Sequence, residues 1–195
     1  MLLPEGFYQR NNVTCVARDL IGKALCTRMN AVVTAGLIVE TEAYSWKERG
    51  CHAYDNRKTA RNAVMFGQGG HAYVYLCYGM YNLFNVVTNR EGLADAVLIR
   101  ALEPLEGLPA MLRRTGKADP RRLTSGPGKL TRALGIDRRH NGLHLASAKV
   151  WLEDVGHSVR KQDIAESPRI GIDYAGDDAN LPWRFTIKDN KWVSR

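Results

Sequence analysis

Two carboxylates and a phenol stand at alternate positions of one strand-like stretch, where they could act on a common substrate. Residues 38–44 read IVETEAY, and alternate residues of a strand project from the same face. We therefore expect Glu40, Glu42 and Tyr44 to share one face. Ile38 is expected on that face too, so that it changes from apolar to polar along the strand. The cluster could form the floor of an active site for acid or base catalysis, or it could be an exposed strand face without a chemical role.

A cationic side chain is predicted close to these carboxylates. Arg100 directly follows the apolar run Val97-Leu98-Ile99, so its charge must meet a carboxylate or solvent. Either Glu40 or Glu42 could supply that carboxylate. An arginine beside a glutamate favours the ionised carboxylate, which is the form that acts as a base.

Tyrosines are concentrated a little earlier in the chain, with four of them in the nine residues from Tyr73 to Tyr81. Tyr73 and Tyr75 are expected on one strand face, and Tyr78 beside Gly79 at a tight turn. Aromatic rings can stack on bases and attract cations, and a protruding ring can fill the gap left by a displaced nucleotide. The alternative is aromatic packing between strands.

A glycine-rich segment, Ser125-Gly126-Pro127-Gly128-Lys129, leads into a predicted helix. Free N–H groups at a helix start, together with a lysine, favour phosphate binding. The segment is not a nucleotide-binding P-loop, because Leu130 stands where that motif needs Ser or Thr. An ordinary connection remains the alternative. Residues 101–150 carry ten Lys and Arg against four Asp and Glu, including Arg113, Arg114, Lys117, Arg121 and Arg122 close to this segment.

The elements that must hold these residues point to an α+β fold in one domain spanning residues 1–195, with a mostly antiparallel sheet flanked by helices. The spacing of apolar residues predicts helices at 13–21, 106–114 and 129–134, and strands at 23–27, 36–44, 72–78, 81–88, 96–102, 150–155, 169–174 and 184–187. Residues 45–70 are predicted to form a long loop, and loops of that length are usually functional.

Composition narrows the class of protein. No apolar run is long enough to span a membrane, and the N-terminus lacks the pattern of a secretory signal. The four cysteines form no CxxC pair, so a structural zinc site is not expected. Free thiols suit a reducing compartment, and we expect a cytoplasmic protein, associated with the nucleoid if the source is prokaryotic. The net charge of +8 fits a nucleic-acid partner or a solubilising surface.

Taken together and in this order, the motifs resemble the alkyladenine (3-methyladenine) DNA glycosylase family over nearly the whole chain. The matching segments are 16–23, 39–44, His52, 59–62, 65–66, 73–75, 78–81, 100–107, 125–127 and 129–130. The resemblance implies one domain with a curved antiparallel sheet, working as a monomer without a metal or another cofactor. It further implies that the protein removes alkylated or deaminated purines from double-stranded DNA, leaves an abasic site and does not nick the strand.

The same resemblance assigns roles to the catalytic residues and to the base pocket. Glu42 is implied as the general base for water, and Arg100 as the residue that helps to hold that water. The remaining implied roles are stacking of the flipped base by Tyr44 and Tyr75, contact with it by His52, discrimination against guanine by Asn85, and wedging into the minor groove by Tyr78.

Three other classes of protein compete with this interpretation. A non-catalytic nucleic-acid-binding domain would explain the basic residues and the tyrosines, although an acidic group near phosphate weakens such binding. A zinc-dependent base deaminase needs His-x-Glu and Pro-Cys-x-x-Cys motifs that this sequence lacks. A formyltransferase-like domain shares a related sheet architecture, which is weak support for a function.

Overall fold

The computed structural model describes residues 1–194, and over this range it contains four α-helices and eight β-strands. The helices are α1 (Glu5–Tyr8), α2 (Val13–Leu20), α3 (Leu108–Thr115) and α4 (Pro127–Leu134). The strands are β1 (Ala24–Met29), β2 (Val32–Tyr44), β3 (Ala72–Cys77), β4 (Tyr81–Thr88), β5 (Asp95–Glu106), β6 (Val150–Glu153), β7 (Ile164–Ser167) and β8 (Arg184–Ile187).

All eight strands join one antiparallel sheet, which confirms the predicted α+β class. The order of the main strands is β3-β4-β5-β2-β1-β6, and β8 pairs with both β2 and β7. The long strand β2 is therefore central: β5 lies along one edge, while β1 and then β8 share the other. Only the beginning of β5, from Asp95 to Leu98, pairs with β4.

Helix α2 forms where the apolar spacing predicts it. Val13, Val16, Ala17 and Leu20 are buried on one face, and the Asn12 side chain accepts hydrogen bonds from the first turn, as an N-cap should. No helix within the described residues 1–194 is both long and apolar enough to cross a membrane.

The helices pack on one face of the sheet and build the main hydrophobic core. Leu20 of α2 and Leu130 of α4 belong to the same buried cluster as Ile38, Ile99 and Leu102 of the central strands. The opposite face of β2 and β5 carries a smaller apolar cluster, and beyond it lies the candidate site. The main core and the candidate site therefore lie on opposite faces of the sheet.

One predicted strand, at 169–174, is wrong. The strand in this part of the chain is β7, which ends at Ser167. The segment after it leads into a 3₁₀ helix, Asp173–Asn180. Gly171 has a φ of +76° that a strand does not allow. The amide of Ile170 donates to a side chain instead of to a neighbouring strand. Alternating apolar residues in this segment line a cavity and not a sheet.

Three register shifts interrupt the pairing of β2 with β5, and two of them, which are β-bulges beside Glu40, change which side chains share a face. The register moves from Ile38 opposite Leu102 to Glu40 opposite Ala101, and then to Thr41 opposite Ile99. Val39 and Arg100 are therefore the extra residues of the two bulges, and bulges re-aim side chains in this way. The prediction that Ile38 shares a face with Glu40 and Glu42 is wrong, because Ile38 lies in the main core.

Candidate active site

The bulges bring three charged side chains together on the face of the sheet away from the main core. Arg100 Nε donates to Glu40 Oε1 at 3.0 Å, and Arg100 Nη1 donates to Glu42 Oε2 at 3.3 Å. Both glutamates are fully buried, and Arg100 is 9% exposed. We call these three residues the floor. The sequence left open which carboxylate meets Arg100, and the structure shows that both do.

Glu42 has three hydrogen-bond donors around its carboxylate. Besides Arg100, the Tyr44 hydroxyl donates to Oε2 at 2.8 Å, and the Ile170 amide donates to Oε1 at 2.8 Å. Burial raises the pKa of Glu42 above its ordinary value, while Arg100 and the other two donors oppose that rise. The balance yields a carboxylate that is a stronger base than an exposed glutamate.

Glu40 differs from Glu42 because four donors from the protein, supplied by three other residues, bond to its carboxylate oxygens. Arg184 Nε donates to Oε1 at 2.7 Å, and Ser194 donates its amide to Oε2 at 2.7 Å and its hydroxyl to Oε1 at 2.9 Å. With Arg100, four donors surround this carboxylate. Two glutamates thus face two arginines, so that the buried charges balance, as buried ionic groups require.

A cavity of about 720 Å³ opens over the floor. Arg100 and Ser194 line it, as do all four residues that the resemblance assigns to the base pocket: Tyr44, His52, Tyr75 and Asn85. Glu42 itself lies immediately behind the lining, because Tyr44, Arg100 and Ile170, which all bond to it, line the cavity. The structure therefore brings the predicted catalytic and pocket residues together.

Aromatic side chains from β3 and the long loop pack against one another along one wall. The ring of Tyr75 lies 5.3 Å from that of Tyr73 and 4.7 Å from that of His52, measured between centroids. His52 Nδ1 is 2.9 Å from the Tyr73 hydroxyl. Burial, with a smaller contribution from Arg61, lowers the pKa of His52 to about 4. The imidazole is therefore neutral at physiological pH.

Asn85 lies deeper in the same cavity, on β4. Its side chain is 4% exposed, and its Nδ2 donates to the Tyr73 carbonyl at 3.1 Å. This bond fixes the amide, as a buried polar group requires. Its carboxamide is therefore a fixed polar group in the lining of the cavity.

The mouth of the cavity is formed by the β3–β4 turn and by the segment that opens α4, where Tyr78 and Lys129 are exposed. Tyr78 is 86% exposed at a φ of +50°, followed by Gly79 at +69°. A bulky residue in the left-handed region is strained, and such strain gathers at functional sites. Ser125, Gly126, Gly128 and Lys129 line the opposite part of the mouth. We call Tyr78 and these four residues the rim.

Glycine is required at two rim positions for different reasons. Gly126 has a φ of +143°, and a Cβ on Gly128 would lie 2.8 Å from the ring of Tyr81. The segment can thus lie directly against the hairpin that carries Tyr78. Lys129 Nζ donates to the Ser125 carbonyl at 3.1 Å and is otherwise exposed. By contrast, Arg114, counted among the basic neighbours, bonds to Thr34 and the Ala133 carbonyl and serves the packing of α3 on α4.

Sequence reasoning missed several groups that complete the site. Ile170, Arg184 and Ser194 contact the glutamates of the floor across 128, 144 and 154 residues of the chain. Arg169 and Glu48 form a buried ion pair beside Tyr44. The alternation of apolar residues at 169–174 is the one local signal, and it predicts a strand instead of a cavity wall.

Within residues 1–194, no group of three or more His, Cys, Asp or Glu side chains is arranged to hold a metal ion. The charged groups of the floor bond to one another instead. Arginine nitrogens and carboxylates already paired to them are poor metal ligands, and the donor set gives no indication of a bound metal.

Comparison with known proteins identifies the family. The family model described as methylpurine-DNA glycosylase (MPG) matches residues 6–191. This chain belongs to the methylpurine-DNA glycosylase family. A relative from Carboxydothermus hydrogenoformans is 49% identical over the whole of both chains, and one from Methanocella arvoryzae is 50% identical over all of this chain and 96% of its own. A third, from Chlamydia felis, is 44% identical over 97% of this chain. All three are provisionally named 3-methyladenine DNA glycosylase.

Membership of the methylpurine-DNA glycosylase family makes the chain a DNA glycosylase, a hydrolase of DNA repair. The resemblance inferred from the sequence is thereby confirmed. The match covers both strands of the floor, the aromatic wall and the rim. Coverage of more than 95% of the relatives named above shows that the match is not confined to one motif.

Proposed function

We propose that this glycosylase rotates an alkylated or deaminated purine, such as 3-methyladenine, out of double-stranded DNA and hydrolyses its N-glycosidic bond. The observation that carries the proposal is the floor, in which Arg100 forms ion pairs with both Glu40 and Glu42, directly beneath a cavity lined by tyrosines. A base inside a duplex cannot reach such a floor, so extrusion must precede the chemistry, at a cost of a few kcal/mol. Damaged bases pair poorly and are easier to extract.

Glu42 would activate the water. A carboxylate offers about four acceptor positions, and three are taken by Tyr44, Arg100 and Ile170, which leaves one for a water molecule. Arg100 would hold that water from its other side. The negative charge of Glu42 would also stabilise the oxocarbenium character that develops on the sugar.

The pocket would recognise the base mainly through aromatic faces. N3- and N7-alkylated purines carry a positive charge, and a desolvated cation over a tyrosine gains about 1–2 kcal/mol. Tyr44 and Tyr75 would stack the base, and His52 would contact it in the neutral form that its lowered pKa maintains. Asn85 would oppose the 2-amino group of guanine, because adenine and its alkylated form carry only a hydrogen at that ring position.

The rim would bind the duplex. Tyr78 would enter the minor groove and occupy the space that the flipped nucleotide leaves, while Ser125, Gly126, Gly128 and Lys129 would contact the phosphate backbone. We propose that the whole chain, residues 1–195, works as one domain and as a monomer, without a cofactor. Because the substrate would be chromosomal DNA, we place the activity in the cytoplasm, at the nucleoid in a prokaryote.

The proposal is tested with duplexes that contain 3-methyladenine, 7-methylguanine, hypoxanthine or ethenoadenine at one position. We expect release of the free base from at least one of them, leaving a strand that breaks only after alkali treatment. An undamaged duplex of the same sequence is the control and should stay intact. Strand cleavage without alkali, or no base release from any of the four, would contradict the proposal.

A further inference from the structure

A buried ion pair lies beside Tyr44, outside the set of residues that the reaction requires. Arg169 Nη1 donates to Glu48 Oε1 at 2.7 Å, and Arg169 Nη2 donates to Glu48 Oε2 at 2.8 Å. The Arg169 side chain has no exposed surface and that of Glu48 has 4%. Removing two charges from water is costly, and a buried pair is weak evidence for stability alone. Its contacts therefore need another explanation.

The pair joins three segments of the chain. Besides Glu48, in the loop after β2, Arg169 donates to the Ala43 carbonyl at 2.8 Å, at the end of β2, and to the Asp178 carbonyl at 3.0 Å. Arg169 makes four bonds, two from each terminal nitrogen of its planar guanidinium, and the three donors on the single nitrogen of a lysine cannot reproduce them. Gly50 adds an amide to Glu48 Oε2 at 2.7 Å, so both partners are held.

Two parts of the glycosylase site depend on where this pair lies. The guanidinium of Arg169 stacks between the rings of Tyr44, at 4.7 Å, and Trp183, at 5.2 Å, and so supports the face of Tyr44 that it contacts. The next residue in the chain is Ile170, whose amide donates to Glu42 Oε1. Fixing the Arg169 side chain on both sides thereby fixes the peptide group that carries this amide.

We propose that Arg169 and Glu48 are positioning residues, whose ion pair holds the Ile170 amide on Glu42 and the Tyr44 ring beside it. The proposal rests on the proposed function, since it assumes that Glu42 is the base. The charged and titratable groups that interact with Glu42 are Glu40 and Tyr44 from β2, Arg100 from β5 and Arg169 itself, with the Ile170 amide completing its surroundings. Loss of that amide removes a donor that favours the ionised carboxylate.

This positioning predicts a change that a merely structural pair would not cause. The double variant Arg169→Gln, Glu48→Gln replaces both charged groups with neutral amides and leaves no unpaired charge. We expect single-turnover base release to fall by about 10- to 100-fold, as misplacement of catalytic groups does. The acid limb, which is the low-pH range over which the rate falls, should also move upward by about one pH unit. The reason is that the ionised carboxylate of Glu42 has lost a hydrogen bond.

A matched control is the exposed pair of Arg160 and Asp163, which also makes two hydrogen bonds, at 2.6 and 3.1 Å. The variant Arg160→Gln, Asp163→Asn should leave both the rate and the acid limb unchanged. Circular dichroism and thermal melting establish that each variant is folded. A folded Arg169→Gln, Glu48→Gln variant with an unchanged acid limb, whether or not its rate falls, would overturn the proposal.

Two further measurements keep the proposal testable if that variant does not fold. Arg169→Lys retains the charge but loses the fork, and we expect it to show the same direction of both changes. In the wild-type protein, the Ile170 amide should exchange with deuterium at least 100-fold more slowly than an unstructured amide; exchange at the unstructured rate would overturn the proposal. If the wild-type protein releases no base, the proposed function fails, while the exchange rate still tests the placement of Ile170.

Discussion

The floor and the rim of the cavity are built in opposite ways. The floor, Glu40, Glu42 and Arg100, comes from adjacent central strands, is buried, and has its charges balanced by Arg184 and its acceptors met by fixed donors. The rim comes from the β3–β4 turn and from the segment that opens α4, and it carries the exposed residues Tyr78 and Lys129. Tyr78 at the rim is strained and almost uncovered.

Under the proposed function, this difference separates the catalytic groups from the residues that bind DNA. Catalytic groups act only when they are held within a fraction of an ångström, which rigid strands with satisfied hydrogen bonds provide. Binding to a duplex tolerates adjustment, and exposed loops on a rigid scaffold provide that. Changes at the floor should therefore reduce the rate while DNA binding persists, and changes at the rim should do the reverse.

The largest expected effect comes from removing the shared cation of the floor. Arg100→Gln leaves two buried carboxylates facing only Arg184, so we expect the free energy of unfolding to fall by about 3–5 kcal/mol and base release to fall by at least about 100-fold. Denaturant titration and single-turnover assays measure the two effects. A stable variant with wild-type turnover would show that the floor is not the catalytic centre.

The next effect is on the pH dependence of the rate. Glu42 must be ionised to act as a base, and burial raises its pKa, so the rate should fall tenfold per pH unit below an inflection that lies above the ordinary glutamate value. His52, with a pKa of about 4, should add no inflection near 6.5. His52→Gln should therefore leave the acid limb where it is. An acid limb that disappears in this variant would assign it to the histidine.

Tyr78 tests the rim. Tyr78→Ala removes the exposed ring, and we expect binding to lesion-containing duplex to weaken about tenfold, with a much smaller change on undamaged duplex. Fluorescence anisotropy with the two duplexes, matched in sequence, measures the difference. Equal losses on both duplexes would indicate that Tyr78 only shapes the turn.

Lys129 should give the smallest effect. Lys129→Gln removes one cation from the rim, and we expect binding to weaken a few-fold for lesion-containing and undamaged duplex alike. The slope of log affinity against log salt should become shallower by about one. An unchanged slope would mean that Lys129 does not contact a phosphate. A change in the rate at saturating enzyme would contradict the division of roles between the rim and the floor.

Much of the molecule could be predicted from its sequence because the signals are local. Helix α2 has a capping asparagine and an apolar face, and β3 and β4 alternate around a turn at Tyr78 and Gly79. The predicted strand 36–44 and the helix 129–134 lie within the longer β2 and α4. The site residues could be assigned because the family motifs recur here in order, and the structure places them around one cavity.

The rest could not be predicted because it depends on contacts that are remote in the chain or on exceptions to a regular period. The bulges at Val39 and Arg100 break the alternation that put Ile38 beside the glutamates. Ser194 meets Glu40 across 154 residues, and Ile170 meets Glu42 across 128. No local pattern in a sequence reports such a distance, and the alternation of Ile170 and Ile172 could only suggest a strand.

The central claim, that Glu42 is the base of the floor, is tested most directly by Glu42→Gln in single-turnover release with enzyme in excess over a lesion-containing duplex. Glu103→Gln, on the same strand as Arg100 and bonded to Asn190 instead of to the floor, is the matched control. We predict a loss of at least about 1,000-fold for Glu42→Gln, with duplex binding retained, and wild-type release for the control. Release by Glu42→Gln within a few-fold of the wild-type rate would contradict the account.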